Sequence, residues 1–175
     1  MKVLTKFTVV FMATFLTWSC SDTVEEIVPV EIEIDSEVAI KWANLTLDVV
    51  KNSPYNSPTY ASRSLAYMGL SMYESTVQGS IVYQSVSTSL NGLGAMPIAI
   101  DTLEIDWELS LNAAQATMLR SLYPHAPAAY SMKIDSLNQA IVEAKRVKMV
   151  SDKTLKNSAE FGIAIAKKNI PMVYK

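Results

Sequence analysis

The side chains able to do chemistry in this 175-residue chain are few. There is one histidine, His125, and one cysteine, Cys20. A single histidine excludes His-rich metal sites and most imidazole dyads. His125 lies in the turn Tyr123-Pro124-His125-Ala126-Pro127, where no orienting group for a catalytic imidazole is recognisable, so it reads as a surface or capping residue. Carboxylate metal sites need several acids on facing helices, and the interior-leaning acids are only Asp48, Glu74 and Glu108. Glu74 follows the run Tyr67-Met68-Gly69-Leu70-Ser71-Met72-Tyr73 and stands eleven residues beyond Arg63. Eleven residues are three helical turns, so Arg63 and Glu74 share a side but lie about 16 Å apart along the axis. Arg63, Glu74 and Glu108 read as structural polar anchors, because a buried charge needs a partner. The other reading puts them in a pocket wall, with Glu74 and Glu108 converging with a third acid. No residue is assigned a catalytic, cofactor-binding or metal-ligating role.

Other patterns are weaker still. Gly92-Leu93-Gly94 lacks the strand, helix and lysine of a phosphate loop, and no Cys pair, His-Glu-x-x-His or Gly-x-Ser-x-Gly occurs. Tyr60, Tyr67 and Tyr73 read as helix packing with hydroxyls at the rim. Lys145, Arg146, Lys148, Lys153 and Lys156 cluster around one turn as a solvated basic surface, or as a contact for an anion or lipid headgroup. With 15 bases against 17 acids the chain has no extended nucleic-acid surface, and none is expected as a partner.

The N-terminus reads as an address. Lys2 and Lys6 precede an apolar run, Phe7–Leu16, whose ten residues fall short of the ~20 that a membrane-spanning helix needs. That order is a secretory signal. Thr17-Trp18-Ser19-Cys20 places a small residue before the only cysteine, as in a lipoprotein processing box, although leucine is more usual where Thr17 stands. The expectation is a signal peptide over 1–19, lipidation of Cys20, and export to a membrane anchor, with the outer membrane as the destination. Cleavage before Cys20 removes Lys2 and Lys6 and leaves 13 bases against 17 acids, a net charge of −4. Residues 20–36 read as an extended acidic tether.

The body reads as helices. A chain that is 50% hydrophobic and 18% charged carries ample apolar material to fold. Periodicity and caps predict helices over about 37–51, 58–79, 106–122, 128–150 and 151–169, with one long irregular crossover at 80–101. The second predicted helix is apolar around most of its circumference, which makes it the expected central one. Its Gly69 and small neighbours are expected to admit another helix closely. Pro171 is expected to end the last helix, leaving the bundle domain at 37–170 and a tail at 171–175. The fold class is therefore all-α, a bundle of about five helices.

Several phrases in order resemble one family. They are Ala39-Ile40-Lys41-Trp42-Ala43-Asn44-Leu45-Thr46-Leu47, Asn52-Ser53-Pro54, Ser57-Pro58-Thr59-Tyr60-Ala61-Ser62-Arg63 and Met72-Tyr73-Glu74-Ser75. Leu90-Asn91-Gly92-Leu93, Trp107-Glu108-Leu109-Ser110-Leu111-Asn112-Ala113-Ala114-Gln115 and Lys133-Ile134-Asp135-Ser136-Leu137 follow. Together, over roughly residues 37–166, they resemble the N-terminal helical region of Bacteroidetes lipoproteins of the vanadium-dependent haloperoxidase type, in the phosphatidic-acid phosphatase type 2 superfamily. The family's oxyanion site uses a Lys and Arg ahead of a proline, a Ser-Gly-His segment, and an Arg followed by a second His. None of these segments is present, and His125 matches neither catalytic position. The resemblance implies vanadate or phosphate only for a complete member, a missing C-terminal catalytic half as partner, and no catalysis by this chain alone. The alternative is a stand-alone envelope lipoprotein with a binding or scaffolding role.

Overall fold

Ser57 and Asp106 start two of the helices by the same device. The Ser57 hydroxyl accepts from the Tyr60 N–H at 3.2 Å, with Pro58 at the first helical position. Asp106 Oδ1 accepts from the Leu109 N–H at 3.0 Å. Each side chain satisfies a backbone donor that the first turn leaves without a partner. The computed structural model describes residues 35–100 and 103–173; Cys20, the predicted signal and nearly all of the predicted tether lie outside them. The helices are α1 (Glu37–Asn52), α2 (Pro58–Glu74), α3 (Trp107–Leu122), α4 (Ala128–Val147) and α5 (Asp152–Val173). Between α2 and α3 runs an irregular crossover carrying single 3-10 turns at Val77–Gly79 and Ser87–Ser89. No strand occurs among the described residues. The all-α, five-helix expectation is met.

The centre of the bundle is α3, not the second helix that the apolar count favours. Eleven of its 16 residues are buried, including Ser110, Asn112 and Gln115. Each buried polar group ties α3 to a neighbour. Trp42 Nε1 of α1 donates to Asn112 Oδ1 at 2.9 Å, and Asn112 Nδ2 donates to Asn138 Oδ1 of α4 at 2.9 Å. Gln115 Nε2 donates to the Met68 carbonyl of α2 at 3.1 Å, and Ser110 Oγ to the Ser75 carbonyl at 2.7 Å. Asn112, bonded through both its oxygen and its nitrogen, avoids the desolvation penalty that would otherwise exclude an amide from a core, whereas Gln115 is bonded through its nitrogen alone.

Around α3 the order is α4, α1, α2, α5, and the ring stays open because α4 and α5 scarcely touch. The tightest packing is α3 on α5 at Gly162. A Cβ placed there would lie 2.0 Å from the Ser110 carbonyl oxygen, so only glycine permits this approach. Gly69, the glycine expected to admit a neighbour, faces open space instead.

The inner face of α2 is Ser64, Met68, Ser71 and Glu74, while Leu65 is exposed. Ile40 and Leu47 of α1 are more than half exposed. The ends of three helices also differ from expectation. α2 stops at Glu74 because the Ser75 and Thr76 hydroxyls bond back to the Met72 and Tyr73 carbonyls and draw the chain out of the helix. α4 stops at Val147 because Met149 turns left-handed, at φ 63°. α5 runs through Pro171 to Val173. Pro171 lacks only the N–H that would reach the Lys167 carbonyl, and both residues are exposed, so water can serve that oxygen.

Candidate functional site

The predicted anchors separate into different surroundings. Glu74 has no exposed surface. Its Oε1 accepts from the Val86 N–H at 2.9 Å, and its Oε2 has no hydrogen-bond partner among the described residues. It thus anchors the crossover, not a neighbouring helix. Two other side chains help. Tyr73 OH donates to the Gln84 carbonyl at 2.7 Å, and Gln78 clasps the far limb, donating to the Pro97 carbonyl at 2.7 Å and accepting from the Ala99 N–H at 2.8 Å. Gln78 has no signal in the sequence beyond its place in the crossover. Arg63 lies on the exposed side of α2, so the shared side that holds Glu74 inside has run out into solvent three turns earlier.

Glu108 joins an ionic triad. Lys145 Nζ sits 2.7 Å from Asp106 Oδ2 and 2.9 Å from Glu108 Oε2, and all three side chains are at most 20% exposed. Burial pulls the Lys145 ammonium down, but the hydrogen bonds from Asp106 and then Glu108 outweigh it and hold its pKa above the ordinary value. Asp48 lies at the surface and pairs with Lys133 at 2.8 Å. That bond holds Asp48 below the usual carboxylate range and Lys133 above the usual lysine one. Glu74 and Glu108 do not converge with a third acid, and no metal-holding group of His, Cys, Asp and Glu occurs among the described residues.

The predicted basic patch is dispersed. Lys145 turns inward to its acids, while Arg146 and Lys156 stand on the rim of the open seam between α4 and α5. This seam is a cleft of about 450 Å³ over α3, with Arg120 at its other end. Each base on it has an acid nearby: Arg120 bonds Asp135, and Arg146 and Lys156 lie 3.9 Å from Glu143 and Glu160.

Two further features complete the surface. The crossover from Ser75 to Ile100 contains no Asp, Glu, Lys, Arg or His in 26 residues. Leu93 and Met96 tack it onto Phe161 and Ile165 of α5, whereas Ile81, Val82, Tyr83, Ile98 and Ile100 are each more than half exposed. The second feature is a pocket of about 260 Å³ between the α1–α2 and α3–α4 turns, walled by Pro54, Tyr55, Tyr60, Tyr123 and Pro124. Tyr60 and Tyr123 meet edge to face at 5.7 Å, and the Tyr60 hydroxyl bonds the Leu122 carbonyl. His125, exposed as expected, lies on its edge. No protein-family model, curated protein or solved structure matches the chain. Among the described residues no helix is long and apolar enough to cross a membrane.

Proposed function

We propose that this chain is the non-catalytic helical part of a lipoprotein of the vanadium-dependent haloperoxidase and phosphatase type, serving to carry and brace a catalytic half. In this reading Cys20 bears the lipid that holds it to the membrane after export, and vanadate or phosphate belongs to the complete protein. The observation that supports it is the exposed face of the crossover. A surface destined for burial in a partner is depleted of charge. Ser75–Ile100 has that composition, with Ile81, Val82, Tyr83, Ile98 and Ile100 turned outward. Arg120, Lys133, Lys145, Arg146 and Lys156 each stand beside an acid. That suits a support better than an oxyanion site, where cations must stand unpaired to meet the anion.

The test is to sequence the DNA through and beyond the codon for Lys175. A continuation, in frame or after a single shift, that encodes Arg-Pro, Ser-Gly-His and a later Arg-to-His segment is the expected result. A stop followed by unrelated sequence overturns the reading. The alternative, a stand-alone envelope lipoprotein with a binding or scaffolding role, is then favoured by the small pocket between the two turns.

A further inference from the structure

We infer that Asn91 is a site of spontaneous covalent modification: its side-chain amide closes on the backbone nitrogen of Gly92 and is converted to a carboxylate. Asn91 and Gly92 form the tip of a turn in the crossover, closed by the Leu93 N–H donating to the Leu90 carbonyl at 3.4 Å. Gly92 holds φ 86°, the sign that a type II turn requires at its third residue. Both residues of the tip are exposed. Among the described residues no hydrogen bond holds the Asn91 side chain or the Gly92 N–H, so both reacting groups are free to meet. A side chain at residue 92 would crowd the attacking nitrogen, and glycine has none.

The reaction needs only water. The Gly92 nitrogen gives up its proton and bonds to Asn91 Cγ, the Cγ–Nδ2 bond breaks, and ammonia leaves carrying that proton. Water then opens the five-membered imide. Opening at Cγ leaves an ordinary aspartate. Opening at the α-carbonyl leaves an isoaspartate, whose main chain runs through the β-carbon. Either product bears a carboxyl of ordinary pKa, ~3.9 for aspartate, and is ionised at neutral pH.

The fold singles this asparagine out of eight. Asn44, Asn52, Asn112, Asn138, Asn157 and Asn169 lie in helices, where the N–H that must attack is bonded to a carbonyl four residues back. For Asn52 that donor is Ser53, bonded to the Val49 carbonyl at 2.9 Å. Asn56 has its amide nitrogen on the Val50 carbonyl at 2.6 Å and is followed by Ser57, not by glycine. The consequence at Asn91 is local. Ser75–Ile100 carries no charge, and the product sets one two residues from Leu93, which is buried and packs with Phe161 and Ile165 of α5. The crossover thus gains a negative charge with age at a fixed place, whether or not it seats a catalytic half. Where it does face a partner, that charge opposes burial.

Incubating the full chain in mildly alkaline native buffer, with peptide mass spectrometry at intervals, tests this. The expected result is the amide-to-acid mass gain at Asn91 at least about 10-fold faster than at any of the other seven asparagines. Two separable products, aspartate and isoaspartate, should accumulate. The folded rate at Asn91 should stay within about 10-fold of its rate in denaturant. Gly92→Ala puts a methyl into open space at the exposed tip and should slow the conversion at least about 5-fold. Asn91→Gln, which must close a six-membered ring instead, gives the same reading should Gly92→Ala disturb the turn. A smaller lead over the other asparagines, the absence of isoaspartate, or a folded rate further below the denatured one would overturn the inference. Conversion as fast in a folded Gly92→Ala or Asn91→Gln variant would do the same.

Discussion

Lys145→Met is the substitution that weighs the ionic triad most directly. Methionine keeps the length and most of the apolar stem of lysine while removing the charge. The ammonium makes charge-assisted bonds of 2.7 Å to Asp106 and 2.9 Å to Glu108. Breaking a fully buried pair costs ~3–5 kcal/mol, chiefly because the orphaned charge stays behind. The lysine is 13% exposed and the acids 17% and 20%, so water reaches the remaining carboxylates and the cost falls to the bottom of that range or just below it, about 2–3 kcal/mol. Two orphaned acids would then repel one another beside the start of α3, where Asp106 must also cap the Leu109 N–H. An exposed pair such as Lys41–Glu37 contributes only ~0.3–0.5 kcal/mol, which separates the two cases well. Denaturant unfolding followed by circular dichroism measures the difference, and thermal melting should show a fall of roughly 5–10 °C for a domain of this size. The sign of the pH dependence is fixed by the raised lysine. Its contribution is complete below the ordinary lysine value of 10.5 and is lost as pH rises through the higher folded value. Wild type and variant should therefore converge in strong alkali. A loss under about 1 kcal/mol would reduce the triad to an ordinary surface ion pair. A gap that persists unchanged far above the ordinary lysine value would show that the lysine's charge is not what stabilises.

Four other substitutions test the packing and one helix end. Gly162→Ala sets a methyl 2.0 Å from the Ser110 carbonyl oxygen, so α3 and α5 must part, and a loss of at least about 2 kcal/mol is expected in the same unfolding assay. Met68→Ala should cost ~2–4 kcal/mol and Leu65→Ala within ~0.5, and the reverse order would mean that α2 turns its Leu65 face, not its Met68 face, to the core. Met149→Gly should raise stability by ~0.5–1 kcal/mol, because Met149 closes α4 at φ 63° with its side chain 92% exposed; a lower melting temperature would contradict that.

The helices are legible in the sequence because caps and periodicity are local. Ser57-Pro58 and Asp106 mark starts that depend on no distant residue. The choice of the central helix is not legible, and the reason is specific. Hydrophobic periodicity counts Ser110, Asn112 and Gln115 as outward residues, yet each is buried and bonded to a different neighbour. A polar side chain's place depends on whether its partner arrives, and the partners of Asn112 are 70 and 26 residues away. Glu74 shows the same effect. An anchoring role follows from the need of a buried charge for a partner, but the partner is a backbone N–H in a crossover whose path has no periodic signal. Glu108 is recognisable as an anchor, while Lys145, which gives it that role, is indistinguishable in sequence from the basic surface around it.

The pocket is hidden in the sequence for a related reason. Tyr60 and Tyr123 are ordinary helix-end aromatics in sequence, and Ser53 and Asn56 are ordinary turn formers. Only the folded chain shows two hydroxyls and one carbonyl oxygen left without partners behind aromatic walls. Such atoms are not confined to this cavity, for Thr46, Ser64, Ser71, Glu74 and Gln115 carry others where the helices pack, so helix packing alone leaves some polar atoms without partners.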